Sequence, residues 1–124
     1  MGYLVLNAYW KLIWFGCVLT TGNFARLYRT VGTFPVTARA TDGREVEWVC
    51  RAIDTACLWY WKEVLCLQRS AATTCLLRQR GIDAQMVLGA QQTPFKAHAW
   101  VEVAGQVVND KPYMAEIYAV LDRC

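Results

Sequence analysis

The spacing of apolar positions divides the chain into a helical first half and an alternating second half. Residues 3–19 are almost continuously apolar, with interruptions at Asn7 and Lys11. A membrane-spanning helix needs about 20 mostly apolar residues. We therefore interpret this segment as a buried or partner-covered helix, with a helix on the membrane surface as the alternative. Residues 20–43 mix Gly, Pro and Thr with scattered Arg and predict a connector over the surface.

Two further helices are predicted after this connector. From Arg44, apolar residues recur at three- and four-residue spacing and form one face of a helix. That face consists of Val49, Ala52, Ile53, Ala56, Cys57 and Tyr60. The next helix is predicted from about Cys66 to Arg80, and Gly81 is placed to cap its C-terminus.

The apolar period then changes to that of β-strands. Strands are predicted at residues 84–88, 97–103 and 106–109, with a short final strand within 116–121. Ala104-Gly105 is a short turn, so the second and third strands should form a hairpin. Helices followed by an antiparallel sheet predict an α+β fold, with a helical N-terminal half packed on a small antiparallel sheet.

Length and composition limit the chain to one folded domain. The 124 residues can form one hydrophobic core, and a hydrophobic fraction of 56% excludes disorder. A formal net charge of +3 gives no basis for a nucleic-acid partner, and we expect none.

The cysteines do not suggest a disulfide framework or a metal site. There are six of them: Cys17, Cys50, Cys57, Cys66, Cys75 and Cys124. No secretory signal and no C-x-x-C pair are visible, and a single histidine cannot complete a zinc-finger pattern. We expect five of the six to be small buried hydrophobes in the reducing cytoplasm, and we expect neither a metal nor a cofactor.

Three residues together have the chemistry of a catalytic triad. Cys66 begins a predicted helix, where unpaired N–H groups and the helix dipole favour a thiolate. His98 lies on a strand, and the hairpin should bring Asp110 close enough for a carboxylate–imidazole hydrogen bond. A cysteine nucleophile, a histidine base and an orienting carboxylate are the parts of such a triad.

Each of these three residues also has a structural interpretation. A lone histidine on a sheet can be a hydrogen-bonded structural residue, a cysteine at a helix start can be a packing residue, and an aspartate at a strand end can form a turn. The pattern of residues does not decide between these interpretations and the triad.

Several sequence blocks resemble those of a known family. Residues 66–72 (CLQRSAA) and 76–82 (LLRQRGI), followed by 87–89 (VLG), 94–102 (PFKAHAWVE) and 108–110 (VND), occur in the order and at the spacing of that family's blocks. The chain resembles the leader peptidases of lasso-peptide biosynthesis, a branch of the transglutaminase-like cysteine protease superfamily. The resemblance implies a papain-like core within one domain, 1–124, with the catalytic part at 44–124 and the apolar helix and connector at 1–43.

The resemblance also implies roles for individual residues. Cys66 corresponds to the nucleophile, His98 to the general base and acid, and Asp110 to the residue that orients the histidine. Oxyanion donors are expected at the backbone N–H of Cys66 or Leu67, and less so at the side chain of Gln68. The adjoining block residues have structural interpretations: we expect Arg69 in an ion pair and Ser70 as a small packing residue.

The expected partners follow from the same resemblance. The family cuts the leader from a ribosomally made precursor, typically where the penultimate leader residue is Thr, and a separate ATP-dependent macrolactam synthetase closes the core. Only 65 residues precede Cys66, and they show no alternating strands that could pair with a peptide. We therefore expect the split type, in which a small separate recognition protein presents the leader. Tyr3–Leu19 and Trp59–Trp61 are candidate interfaces, although for any one of these residues core packing is the simpler explanation.

Two other functions remain open at this point. A transglutaminase-like acyltransferase or deamidase would use the same triad on a glutamine side chain. A non-catalytic adaptor would bind a peptide through its aromatic surface and would not use Cys66 chemically.

Overall fold

The computed structural model describes residues 2–37, 44–92 and 94–124. The helices α1 (Gly2–Thr20), α2 (Phe24–Thr33), α3 (Arg44–Trp59) and α4 (Cys66–Gln79) come first. They are followed by the strands β1 (Ala84–Gln92), β2 (Phe95–Val103) and β3 (Gln106–Val107), and a short helix α5 (Met114–Ile117) leads into β4 (Ala119–Arg123). The predicted α+β architecture is confirmed.

The four strands form one antiparallel sheet in the order β3-β2-β1-β4. The predicted hairpin between β2 and β3 is present, with Val103 paired to Gln106. Its two turn residues, Ala104 and Gly105, both have positive φ angles, 52° and 78°. Two consecutive positive φ angles are the mark of a type I′ turn, whose twist matches that of the flanking strands.

Helix α1 packs one face into the core. Its buried residues recur at helical spacing and are Leu4, Ala8, Leu12, Phe15, Gly16 and Val18. By length and composition this helix could also cross a membrane, and one of its faces packs against α3 and α4. The predicted buried helix is therefore confirmed for one face, while Tyr3, Leu6 and Trp10 are exposed on α1.

The predicted connector between the first two helices was wrong in part, because it contains α2. The side chain of Asn23 caps this helix by accepting a hydrogen bond from the N–H of Arg26, at 3.0 Å. Leu27 and Val31, four residues apart, are fully buried against the core. Tyr28 also packs against the core, and burial of this apolar face stabilises the helix. Residues 38–43 of the connector lie outside the described residues.

The strand boundaries also differ from the predictions. β1 continues to Gln92, and β3 ends at Val107. The N–H of Val108 still donates to the carbonyl of Val101, but the N–H of Val101 donates to the side chain of Asn109, so regular strand pairing stops there. The final strand is displaced to Ala119–Arg123, since residues 114–117 form α5 first.

Helix α4 is the centre of the fold. It contacts α1 and α3 on one side and β1 and β2 on the other, so it is buried almost all round. Its C-terminus is where the sequence placed it: Gly81 has a φ of 87° and its N–H donates to the carbonyl of Arg78. The fold thus holds the N-terminus of α4 beside the two central strands, β1 and β2.

Candidate active site

Cys66 is the first residue of α4 and its side chain is exposed. The first helical hydrogen bond runs from the N–H of Arg69 to the carbonyl of Leu65, at 2.9 Å. The N–H groups of Cys66 and Leu67 therefore precede the hydrogen-bonded ladder of the helix. Both the helix dipole and these N–H groups favour negative charge at this position.

Four of the other five cysteines are buried or half-buried, whereas Cys66 is exposed. Burial raises the pKa of Cys50 to about 11 and that of Cys75 to about 12, so these thiols stay protonated at neutral pH. Burial also raises the pKa of Cys57 and Cys124. The prediction of five buried cysteines holds fully only for Cys75; Cys50, Cys57 and Cys124 are half-buried, and Cys17 is exposed.

His98 and Asp110 form a short hydrogen bond. The His98 Nε2 and the Asp110 Oδ2 are 2.6 Å apart, and about a quarter of each side chain is exposed. When Nε2–H donates to the carboxylate, Nδ1 is left as the proton-accepting nitrogen of the ring. Asp110 lies beyond the end of β3, in a loop, where the hairpin brings it within hydrogen-bond distance of His98 as predicted.

The surroundings of Asp110 favour its ionised form. Burial acts to raise the pKa of Asp110, but the hydrogen bond with His98 and the N–H of Lys111, which donates to Oδ1 at 2.8 Å, act in the opposite direction. The charges of His98 and Arg69 add to this lowering. The net result is a pKa of Asp110 below its ordinary value, so the carboxylate can hold the imidazole ring.

Two aromatic rings stack against the imidazole ring of His98. The His98 ring lies 5.3 Å from that of Tyr118 and 6.1 Å from that of Trp100, measured between ring centroids. Gly89 pairs with His98 across the sheet, and a Cβ at Gly89 would lie 2.7 Å from two ring atoms of Trp100. The glycine in the VLG block therefore leaves room for the Trp100 ring beside His98.

Two cavities open on either side of Cys66 and His98. Each cavity is lined by both of these residues and by Ala99. The first, called here the apolar cavity, has a volume of about 190 Å³. Its other lining residues are Phe24, Leu67, Leu88, Gly89, Ala97 and Leu121. The second, called the polar cavity, has a volume of about 260 Å³ and its other lining residues are Glu63, Val64, Arg69, Ser70, Asn109 and Asp110. The structure thus brings all three predicted triad residues to one cleft.

A buried hydrogen-bond network connects the three segments that carry these residues. The Ser70 hydroxyl donates to the carbonyl of Ala99 at 3.0 Å, and Asn109 Nδ2 donates to Ser70 Oγ at 3.3 Å. Asn109 Oδ1 accepts from the N–H of Val101 at 2.8 Å. Ser70 lies one turn after Cys66, Ala99 follows His98, and Asn109 precedes Asp110, so one hydroxyl joins all three segments.

The sequence interpretation of Ser70 as a small packing residue was incomplete. Ser70 is buried, but its hydroxyl also joins three segments of the site by hydrogen bonds. The role of Asn109 was missed altogether. Both residues occur in the sequence blocks that carried the family resemblance, so their place in those blocks was the available signal.

The side chains of Arg69 and Gln68 bind to two neighbouring helices, α3 and α1. Arg69 forms the expected ion pair, with Asp54 of α3. The buried Gln68 side chain donates from Nε2 to the carbonyl of Leu12 at 2.7 Å, and its Oε1 accepts from the N–H of Leu65 at 3.4 Å. Gln68 thereby fixes the start of α4 against α1, which leaves the backbone N–H groups of Cys66 and Leu67 as the candidate oxyanion donors.

Comparison with known proteins agrees with this geometry. The family model of the transglutaminase-like superfamily matches residues 11–123, which include Cys66, His98 and Asp110. The chain belongs to the transglutaminase-like superfamily. This membership confirms the superfamily that the sequence blocks indicated.

Within this superfamily, the chain is similar to the microcin J25-processing protein McjB of Escherichia coli. The two are 46% identical over 56 residues, which are 45% of this chain and 27% of that protein. The match therefore spans about a quarter of the relative's length. No solved structure matches the chain.

Among residues 2–37, 44–92 and 94–124, no cluster of three or more His, Cys, Asp or Glu side chains is arranged to hold a metal ion. The arrangement that is present, an exposed thiol and a carboxylate-bound imidazole in one cleft, is suited to nucleophilic attack on a carbonyl carbon.

Proposed function

We propose that this protein is a cysteine peptidase that removes the leader from a ribosomally made lasso-peptide precursor. The observation that carries the proposal is the cleft in which the exposed Cys66 thiol at the N-terminus of α4 meets the hydrogen-bonded pair of His98 and Asp110. Membership of the transglutaminase-like superfamily and similarity to a microcin-processing protein support the choice of substrate.

The first half of the reaction forms a thioester. Nδ1 of His98 takes the proton of the Cys66 thiol, and the thiolate attacks the carbonyl carbon at the junction of leader and core. The N–H groups of Cys66 and Leu67 stabilise the oxyanion of the tetrahedral intermediate. His98 then gives its proton to the departing amine of the core, and the carbon–nitrogen bond breaks.

The second half releases the leader. His98 takes a proton from a water molecule, which attacks the thioester carbonyl and displaces the Cys66 thiolate. Asp110 stabilises the protonated imidazole in both halves and keeps the ring in the orientation that the reaction needs. The products are a leader with a free carboxylate and a core with a free amine, the form that an ATP-dependent macrolactam synthetase requires.

A separate recognition protein presents the leader in this proposal, and the reaction takes place in the cytoplasm. Support comes from the exposed aromatic residues on the segment that leads into Cys66, where Trp59 and Trp61 are 76% and 65% exposed. Exposed apolar side chains of this size are typical of partner surfaces. Tyr60, between them, is buried against the core and does not belong to this surface.

The function is tested with the full chain, a synthetic precursor and mass spectrometry. We expect two fragments whose masses add up to the precursor plus one water, and a rate reduced by about 10⁴-fold or more in Cys66→Ala. Cys17→Ala is the matched control because Cys17 is the other exposed thiol, and it should cleave at the wild-type rate.

The outcomes separate the competing functions. A mass increase of about one unit without fragments would identify a deamidase, since the fold alone does not fix the reaction. Unchanged processing by Cys66→Ala would remove Cys66 from the mechanism and favour an adaptor. Tight binding of the leader by this chain alone would contradict the separate recognition protein.

A further inference from the structure

The apolar cavity adjoins the reacting groups but contains no partner for a charge. Apart from Cys66 and His98, its walls consist of Leu67 of α4, Leu88 and Gly89 of β1, and apolar residues of α2, β2 and β4. Its volume of about 190 Å³ is close to that of engineered apolar cavities of about 150 Å³ that accept a benzene molecule. The cavity is partly open to solvent, since Phe24 and Leu121 on its walls are exposed. A charged or amide side chain placed there would lose part of its hydration without gaining hydrogen bonds from the apolar walls.

The polar cavity, on the other side of the same pair, has the groups that handle protons and water. Asp110, which holds the imidazole of His98, lies in it, and so do Glu63, Arg69 and Asn109. Both the departure of the amine and the attack of water need proton transfer by His98. The polar cavity contains the groups that assist this transfer, so we place both steps on this side. The acyl group that stays bound to Cys66 is then directed to the other side.

We propose that the apolar cavity is a specificity subsite for an apolar side chain on the acyl side of the cleaved bond. This inference rests on the proposed function, because it requires Cys66 to form a covalent bond with an acyl group. It adds which side of the substrate is selected, by which walls, and for which class of side chain.

Peptidyl chloromethyl ketones test the subsite without knowledge of the natural precursor. The Cys66 thiolate displaces chloride, so that a carbon–sulfur bond forms and a carbon–chlorine bond breaks. Two probes are compared that end in leucine or in asparagine, two side chains of similar size that differ in polarity. We expect the leucine probe to label Cys66 faster, within the range of roughly 10- to 200-fold over which apolar pockets discriminate. Peptide mapping by mass spectrometry locates the label.

A variant that fills the cavity provides the second arm. Ala97 lines the cavity and is exposed, so Ala97→Phe narrows the space without disturbing the core. It should slow labelling by the leucine probe to about the rate of the asparagine probe. Ala115→Phe, at an exposed alanine of α5 that lines neither cavity, is the matched control and should keep the wild-type preference.

Iodoacetamide separates failure of the subsite from failure of the function, since it alkylates a thiol without presenting a side chain. Normal alkylation of Cys66 by iodoacetamide, together with equal rates for the two peptidyl probes, would overturn the subsite alone. A leucine preference that survives Ala97→Phe would overturn it as well. Failure of all three probes to label Cys66 would contradict the proposed function itself.

Discussion

The two cavities beside Cys66 and His98 share a wall and yet are built in opposite ways. The polar cavity is held by directional bonds, namely the pair of His98 and Asp110 and the network of Ser70 and Asn109. The apolar cavity is formed by side chains of several different elements that are in contact without such bonds. The polar cavity therefore fixes the geometry of the reacting groups, whereas the apolar cavity restricts only the size and polarity of the group that enters it.

The two cavities should therefore tolerate substitutions to different degrees. A hydrogen bond has a preferred distance and angle, and a buried partner left without its bond carries a free-energy cost of about 1–3 kcal/mol. Apolar contacts have no direction and tolerate changes of similar volume. Substitutions in the polar cavity should therefore affect the rate, whereas substitutions in the apolar cavity should affect substrate choice.

The largest effect is expected from Asp110→Asn. The amide lacks the charge that stabilises the protonated imidazole, so kcat should fall by about 10²- to 10⁴-fold with little change in KM. The rate of precursor cleavage checks this. Asp122→Asn is the control, because Asp122 is exposed and bonded to Tyr28, and it should leave the rate unchanged. A rate for Asp110→Asn within about twofold of the wild type would contradict the orienting role.

A smaller effect is expected from Ser70→Ala. Loss of the hydroxyl leaves the carbonyl of Ala99 and the amide of Asn109 without their partner, which should lower the free energy of unfolding by about 1–3 kcal/mol. The segments of His98 and Asp110 should also shift relative to α4, which should reduce kcat by about tenfold. Both values are measurable, by urea unfolding and by cleavage.

Thr74 offers a matched control one turn further along α4. Its hydroxyl is buried and, in the part of the chain that the structure describes, has no hydrogen-bond partner. Thr74→Val should therefore keep kcat and stability near the wild type or raise stability. If Thr74→Val and Ser70→Ala lowered kcat equally, the network would not be what positions the site, whereas recovery of kcat in Ser70→Thr would support it.

On the boundary of the apolar cavity, Gly89→Ala should affect stability more than chemistry. The new Cβ would lie 2.7 Å from the buried Trp100 ring and 2.9 Å from Tyr118 Cβ, so packing must shift at a cost of about 1–3 kcal/mol. Urea unfolding measures this. Gly32→Ala is the control, since its Cβ would meet its nearest neighbour at 3.9 Å, and it should not destabilise α2. Equal stability of the two variants would show that Gly89 is not needed for packing.

The smallest effect is the pH dependence of stability that Asp110 contributes. Because its pKa is lowered from the ordinary 3.8, ionised Asp110 stabilises the folded protein above that pH, and this contribution disappears as pH falls through the lowered value. The stability difference between wild type and Asp110→Asn should therefore be larger at about pH 6 than at about pH 3. A difference that does not change with pH would contradict a lowered pKa.

Much of the fold could be predicted because its signals are local. The apolar face of α3, the glycine that ends α4 and the turn between β2 and β3 each depend on a few neighbouring residues. Helix α2 was missed because the Gly and Thr residues around it were interpreted as a connector, although Leu27, Tyr28 and Val31, which pack on the core, have helical spacing. The end of β3 was missed because the side chain of Asn109, and not a strand carbonyl, accepts from the N–H of Val101, and the apolar pattern does not report such a contact.

The sequence by itself determined that this protein is an α+β chain, with a cysteine at a helix start and a single histidine on a strand. It also indicated the transglutaminase-like superfamily. Only the tertiary structure decided that Ser70 and Asn109 join the three segments and that unlike cavities flank the pair of Cys66 and His98. These features join elements that are distant in sequence, and the spacing of residues along a chain does not report contacts between distant segments.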